Sequence, residues 1–226
     1  MGCDIHMYVE KKEKDNWVKV GDVFDNPYYE PEGPDYSWNT PKTDQPYSGR
    51  NYDLFAILAD VRNGYGFAGC DTGNAVEPID YPRGLPDDVS KEIQVCSDEW
   101  GCDGHSHSYF TIREILDHNW SKKKVHRGWV DMDGYSSYLD NGKPSSWCGG
   151  VHGPLKVSNE EMEKILKGEV DETPENILGC YTQIQWETEQ WEDCRFFLET
   201  VKQIQEVFEE EGLGVDDVRL VFWFDN

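Results

Sequence analysis

Two short segments of the 226-residue chain carry metal-ligand side chains at a spacing typical of β-strands. Asp4 and His6 are separated by one residue, and His105 and His107 repeat that spacing. Alternate residues of a strand project from the same face, so such a pair can present two donors to one ion. Carboxylates and imidazoles are standard ligands of zinc and other divalent metals. If the two segments meet in the fold, these four residues form a metal site.

Further residues complete this predicted site. Asp103 precedes the histidine pair and is the candidate general base, or the carboxylate that orients a metal ligand. Arginine is a natural contact for phosphate, so Arg50 and Arg83 are candidate substrate contacts, together with Asn51 and Tyr52. The alternative is that these arginines pair with some of the 45 acidic residues of the chain.

The charge balance limits the partners of such a site. The chain has 21 Lys and Arg against 45 Asp and Glu, which gives a formal net charge of −24. Nucleic-acid backbones and anionic membranes attract surfaces rich in Lys and Arg, so neither general nucleic-acid binding nor membrane association is expected. A bound cation is the simplest means by which so acidic a protein can hold a small anionic ligand. We therefore expect a divalent transition metal, zinc or manganese, as the cofactor.

The aromatic content indicates a folded protein. Nine Trp, twelve Tyr and nine Phe can bury large apolar areas. No stretch approaches the ~18 consecutive apolar residues of a membrane-spanning helix, and the N-terminus lacks a signal-peptide pattern. The seven cysteines contain no C-x-x-C pair and are odd in number, and with no secretion signal we expect reduced thiols in a cytoplasm.

Hydrophobic periodicity predicts an α+β fold. Residues 3–10 alternate between apolar and polar positions and, with WVKVGDVF, predict an N-terminal β-hairpin over 3–24. Strands are also predicted for YTQIQWET and VRLVFWFD, with a helix between them. Strand, helix and strand after a hairpin favour one α+β domain over residues 1–226. We expect a single mixed or antiparallel sheet covered mainly on one face by helices.

Local signals set the other elements. Helices are predicted near residues 54–61 and 88–95, and at capping boxes formed by Thr111 with Glu114 and by Ser158 with Glu161. The first capping box places His105 and His107 in the turn before a helix. A Pro- and aromatic-rich loop is predicted at about 25–50, and a hairpin or loop at 126–153.

Part of this pattern resembles the metallophosphoesterases, whose D-x-H, G-D-x-x-D, G-N-H and G-H-x-H loops hold two metal ions. The corresponding segments follow in the same order: Asp4–His6, Gly21–Asp25, Gly73–Asn74 and Gly104–His107. Ala75 stands where the third motif has histidine, and only three residues precede Asp4. The resemblance implies metal-dependent cleavage of a phosphoester.

A second resemblance spans most of the chain. The segments MGCDIH, RNYDLFAILADVRN, PRGLPDDVS, DGHSHS and RLVFWFDN are similar to those of a family of uncharacterised bacteriophage and bacterial proteins. This resemblance implies a bacterial or phage-infected cytoplasm. Small phage proteins often counter host defence there, including by cleaving or sequestering nucleotide signals.

Together these features predict a metal-dependent hydrolase that acts on a small phosphoester, such as a nucleotide or a nucleotide second messenger. The alternative is a non-catalytic protein that sequesters a nucleotide-like ligand or a host defence protein. A third interpretation is an acidic surface that mimics a polyanion such as DNA. The sequence leaves the oligomeric state open.

Overall fold

The computed structural model describes residues 2–36, 39–170 and 179–226. Helices and strands are both present, and the predicted α+β class is confirmed. The strands are β1 Asp4–Glu13, β2 Asn16–Lys19, β3 Phe24–Asp25, β4 Lys42–Thr43, β5 His105–Thr111, β6 Lys123–Val130, β7 Leu155–Lys156, β8 Cys180–Glu189 and β9 Val218–Asp225. The helices are α1 Tyr52–Ala59, α2 Lys91–Trp100, α3 Ile112–Asp117, α4 Met132–Asn141, α5 Asn159–Leu166, α6 Gln190–Asp193 and α7 Arg195–Glu210. Within the described ranges, no helix is long and apolar enough to cross a membrane.

The chain divides into two compact units that interleave along the sequence. The first comprises Met1–Val61, Glu77–Trp120 and Cys194–Asn226, and the second Arg62–Val76 and Ser121–Asp193. The sequence predicts one sheet, whereas the described strands form three. The first unit contains a sheet of order β2-β1-β9-β5 and the pair β3-β4, and the second contains a sheet of order β6-β8-β7.

The large sheet of the first unit is antiparallel and is built around β9. The predicted N-terminal hairpin is confirmed as β1 and β2, and β9 lies between β1 and β5. The pair β3-β4 falls within the segment predicted as a loop at about 25–50, of which residues 37 and 38 lie outside the described part.

Helices cover both faces of this sheet, whereas the sequence predicts helices mainly on one. On one face, Ile93 of α2 packs with Tyr8 and Trp223. On the other face, the rings of Phe55 in α1 and Phe224 in β9 have centroids 4.9 Å apart. Strand β9 carries apolar side chains on both of its faces, so burying them requires cover on each side.

Two helices begin where the sequence predicts them. Thr111 and Glu114 form a reciprocal capping box at the start of α3, and Ser158 and Glu161 form another at the start of α5. Each box provides partners for two backbone N–H groups that the first helical turn leaves unpaired.

Helix α4 lies where the sequence predicts a hairpin or loop. Its residues, MDGYSSYLDN, are mostly weak helix formers. The Asp131 side chain caps the helix by accepting a 2.9 Å hydrogen bond from the backbone N–H of Gly134. Tyr135 is buried in the core of the second unit. Capping and tertiary burial therefore outweigh the low local propensity.

A buried ion pair fixes the register of β1 against β9. Arg219 Nε donates to Glu10 Oε2 at 2.7 Å, and Arg219 Nη1 donates to Asp88 Oδ1 at 2.7 Å. The other oxygen of Glu10 accepts from the backbone N–H of Ser90 at 2.6 Å. The Arg219 and Glu10 side chains are only 4% and 0% exposed. Any other register would separate two buried charges, which costs about 3–5 kcal/mol.

The first prediction concerns this pair. Arg219→Leu lowers the free energy of unfolding by about 3–5 kcal/mol, because Glu10 is left buried without its cation. Adding Glu10→Leu recovers part of that loss, because no unpaired charge then remains. Urea unfolding followed by circular dichroism measures both effects. Arg113→Leu is the control, since its ion pair with Asp216 has side chains 52% and 59% exposed. An equally large loss in the control would contradict the prediction.

Candidate functional site

One end of the large sheet gathers most of the predicted metal ligands. Because β9 is antiparallel to both β1 and β5, the starts of β1 and β5 lie at the same sheet end as the close of β9. This end therefore carries Asp4 and His6 from β1, His105 from β5, and Asp225 with the residue that follows it, Asn226. We call these five residues the strand-end cluster.

The first ligand pair lies on a strand, as the sequence predicts. His6 Nε2 is 3.3 Å from Asp225 Oδ2, and the backbone N–H of Asp4 donates to Asp225 Oδ1 at 3.1 Å. Two ligands of a tetrahedral zinc ion with bonds of ~2.0–2.1 Å lie ~3.3 Å apart. The separation of the His6 and Asp225 donors therefore matches that of two ligands on one such ion.

Arg50 binds the Asp4 carboxylate. Its Nε and Nη2 donate to the two carboxylate oxygens at 2.7 and 2.5 Å. These hydrogen bonds from Arg50 hold the pKa of Asp4 below its ordinary value of 3.8, so the carboxylate is ionised at neutral pH. With Asp4 paired in this way, no three carboxylate or imidazole donors of the strand-end cluster, all of whose residues are described, lie within 4.8 Å of one another.

The histidines of the second pair lie in β5, which corrects their predicted position in a turn before α3. A β-bulge interrupts the pairing of β5 with β9, and Ser106 adopts a φ of +53° within it. His105 consequently stacks on Phe224, with centroids 6.1 Å apart, while His107 stacks on Trp223 at 5.6 Å. Phe224 and Trp223 point to opposite faces of the sheet. The two histidines therefore do not share a face.

Only one histidine of the second pair belongs to the strand-end cluster. His105 Nε2 lies 3.1 Å from Asn226 Nδ2. His107 Nε2 instead lies 2.9 Å from the hydroxyl of Ser97 in α2. Burial, and then the charge of His105, lowers the pKa of His107 below 6.5. A neutral His107 therefore links α2 to the sheet.

The predicted substrate contacts separate into different roles. Arg50 lies beside the strand-end cluster through Asp4. The Asn51 side chain caps α1 by accepting from the first backbone N–H groups of that helix, and the Tyr52 hydroxyl accepts from the backbone N–H of Cys3 at 3.3 Å. Asn51 and Tyr52 thus position the loop that carries Arg50.

The other two predicted residues, Arg83 and Asp103, do not belong to the strand-end cluster. Arg83 pairs with Asp80 at 2.9 Å and with Glu114 at 2.8 Å, as in the alternative in which arginines neutralise carboxylates. Asp103 lies in an exposed turn after α2, and its role as a base stays a prediction.

Sequence reasoning missed Asp225 and Asn226. The available signal was the alternation in VRLVFWFD, which places Asp225 on the same face as Trp223 and Arg219. An aspartate that ends an otherwise apolar strand is an unusual feature. Which strands it would lie beside depends on pairing between distant segments, and the periodicity of a single strand does not contain that information.

A second group of ligand-type side chains lies within the second unit and was also missed. His126 of β6 has Nε2 2.7 Å from Thr188 Oγ1 and 3.1 Å from Asp193 Oδ2. Thr188 Oγ1 is in turn 2.6 Å from Asp193 Oδ2. We call these three residues the His126 cluster. Its imidazole and carboxylate are ligand types that bind divalent metal ions.

Comparisons with protein-family models, with curated proteins and with solved structures found no match. Three of the segments that resemble metallophosphoesterase motifs lie in the first unit, and Gly73–Asn74 lies in the second. Asp25, from the second of those motifs, pairs with Lys42 at 2.7 Å. Both family resemblances stay predictions.

The second prediction concerns His107. Because the folded chain lowers the pKa of His107, the unfolded chain binds its proton more readily. The free energy of unfolding therefore falls as the pH drops below about 6.5. His107→Gln removes this part of the pH dependence, measured by urea unfolding between pH 5 and pH 8.

The exposed His152 provides the control for this measurement. His152→Gln keeps the wild-type pH profile of stability. A His107→Gln protein with an unchanged slope below pH 6.5 would show that burial of this imidazole does not set the profile.

Proposed function

We propose that the protein is a metal-dependent hydrolase of small phosphoesters and that the strand-end cluster is its metal site. The observation that supports this most is the convergence of His6 and Asp225 at one sheet end, with their donor atoms 3.3 Å apart and Asp4 beside them. The substrate class is a nucleotide or a nucleotide second messenger. The resemblance to bacteriophage and bacterial proteins supports a role in countering host defence.

His6 and Asp225 hold the ion, which is zinc or manganese, and Asp4 becomes a third ligand when its carboxylate leaves Arg50. A bound zinc ion supplies a hydroxide nucleophile by lowering the pKa of its water to ~7. Arg50, once released from Asp4, pairs with a phosphate oxygen through the same two N–H groups. One ion pair thus supplies both a metal ligand and a substrate contact.

The reaction also needs a proton for the leaving group. Hydroxide attacks phosphorus, the bond from phosphorus to the alcohol oxygen breaks, and that oxygen needs a proton. Solvent water supplies that proton, because His105 lies with Phe224 on the face of the sheet opposite His6 and Asp225.

One observation favours the rival function, in which the protein sequesters a nucleotide-like ligand or a host protein without turnover. Arg50 binds both oxygens of Asp4, which leaves two donors rather than three near a common ion. In that case the phosphate exchanges with Asp4 on Arg50, and no metal takes part.

The third prediction tests the metal directly. Protein purified without chelator contains about one equivalent of zinc by elemental analysis, and it hydrolyses bis(p-nitrophenyl) phosphate or a member of a cyclic-nucleotide panel. His6→Ala and Asp225→Ala each lower the zinc content at least about tenfold and remove turnover, because each deletes a ligand. His152→Ala, away from both clusters in sequence and exposed, keeps both. Circular dichroism confirms that the variants fold.

The outcomes separate the alternatives. Zinc below about a tenth of an equivalent, with no uptake of added zinc, contradicts the hydrolase. Nucleotide binding without turnover would then support sequestration. Binding of a host protein that weakens steeply with salt would support polyanion mimicry.

The fourth prediction separates the two roles of Arg50. Arg50→Gln raises KM for the phosphoester at least about tenfold, because the anion loses its bidentate cation. The same variant keeps the wild-type metal content or exceeds it, because Asp4 no longer has a competing partner. A parallel loss of metal and activity would show instead that Arg50 only maintains the local structure.

A further inference from the structure

We propose that the His126 cluster is a second divalent-cation site and that it binds a six-coordinate ion such as Mn²⁺. Its residues come from β6, β8 and α6, all within the second unit. The inference goes beyond the proposed function, because it holds whether or not the strand-end cluster binds metal.

The polar atoms of the His126 cluster make three short contacts but have too few protons to form a hydrogen bond at each. Nε2, Oγ1 and Oδ2 form a triangle with sides of 2.7, 3.1 and 2.6 Å. The Thr188 hydroxyl supplies one proton, a neutral imidazole supplies at most one at Nε2, and the ionised Asp193 carboxylate supplies none. One side of the triangle thus lacks a proton of its own, which is unfavourable in a buried site. A cation facing the triangle attracts lone pairs of all three atoms.

The size of the triangle favours octahedral coordination. Adjacent ligands of an octahedral ion with bonds of ~2.1 Å lie ~3.0 Å apart, whereas tetrahedral zinc ligands lie ~3.3 Å apart. The three observed separations are closer to the octahedral spacing. An imidazole with two oxygen donors is a mixed set that Mn²⁺ accepts, with water in the remaining positions.

Neighbouring aromatic rings hold the His126 imidazole in place before an ion binds. The His126 side chain is 3% exposed, and its ring stacks on Trp186 with centroids 5.2 Å apart and an interplanar angle of 14°. Among the described residues, the buried Nδ1 has no hydrogen-bond partner. The imidazole proton can therefore reside on Nδ1 while Nε2 binds the ion. The Asp193 side chain is 15% exposed, which gives the ion access from that side.

An ion at this position would join two strands and a short helix. Binding to the folded state alone stabilises a protein in proportion to the logarithm of the ligand concentration above its Kd. Added Mn²⁺ should therefore raise the thermal unfolding temperature, which is a readout independent of catalysis.

The test uses the full-length His6→Ala/Asp225→Ala protein, so that ligands of the strand-end cluster do not contribute. Mn²⁺ is titrated into this protein, and the electron paramagnetic resonance signal of free Mn²⁺ is followed. We expect about one equivalent to bind and the unfolding temperature to rise. Adding Asp193→Asn or Thr188→Val weakens binding at least about tenfold, because the first removes the carboxylate charge and the second removes the hydroxyl donor, while each keeps the side-chain shape. Adding His152→Ala changes nothing.

The outcomes distinguish this proposal from the proposed function. Absence of Mn²⁺ binding by the His6→Ala/Asp225→Ala protein, with circular dichroism matching the wild type, overturns the second site and leaves the strand-end proposal standing. Unchanged affinity in both the Asp193→Asn and the Thr188→Val backgrounds also overturns it. Loss of phosphoesterase activity with retained Mn²⁺ binding supports the second site.

Discussion

The buried pairing of Glu10 with Arg219 fixes how β1 lies against β9, and the candidate site depends on that register. The register of two antiparallel strands fixes every residue pair between them. Pairing Glu10 with Arg219 therefore also pairs Asp4 with Asp225. Separating two buried charges would disfavour a shifted register more than the partly buried pair of His6 and Asp225 at the sheet end could. The geometry of the strand-end cluster therefore follows from an interaction in the interior of the sheet.

Each compact unit contains a carboxylate beside an imidazole. Asp225 lies next to His6 in the first, and Asp193 lies next to His126 in the second. Most of the acidic surplus that gives the chain its charge of −24 lies elsewhere. Asp225 lies at the end of a strand and Asp193 in a short helix that follows a strand, and tertiary pairing rather than local sequence brings each to its imidazole.

Apolar–polar alternation and helix-capping patterns predicted part of this structure from the sequence. Strict alternation identified β1 and placed Asp4 and His6 together, and the capping boxes marked the starts of α3 and α5. The β-bulge at Ser106 could not be predicted from the sequence. Glycine marks positions that favour a positive φ, whereas nothing in the sequence marks a serine that adopts one. The two interleaved units and the His126 cluster depend on contacts between distant segments. Residues 126, 188 and 193 share no motif.

The central claim is that β1 and β9 together hold a metal ion. Crystals soaked in zinc, with anomalous diffraction collected on both sides of the zinc absorption edge, test it most directly. We expect a zinc peak within bonding distance, ~2.0–2.2 Å, of both His6 Nε2 and an Asp225 carboxylate oxygen. A map in which zinc occupies other positions, with none within bonding distance of His6 Nε2 and Asp225, would contradict it.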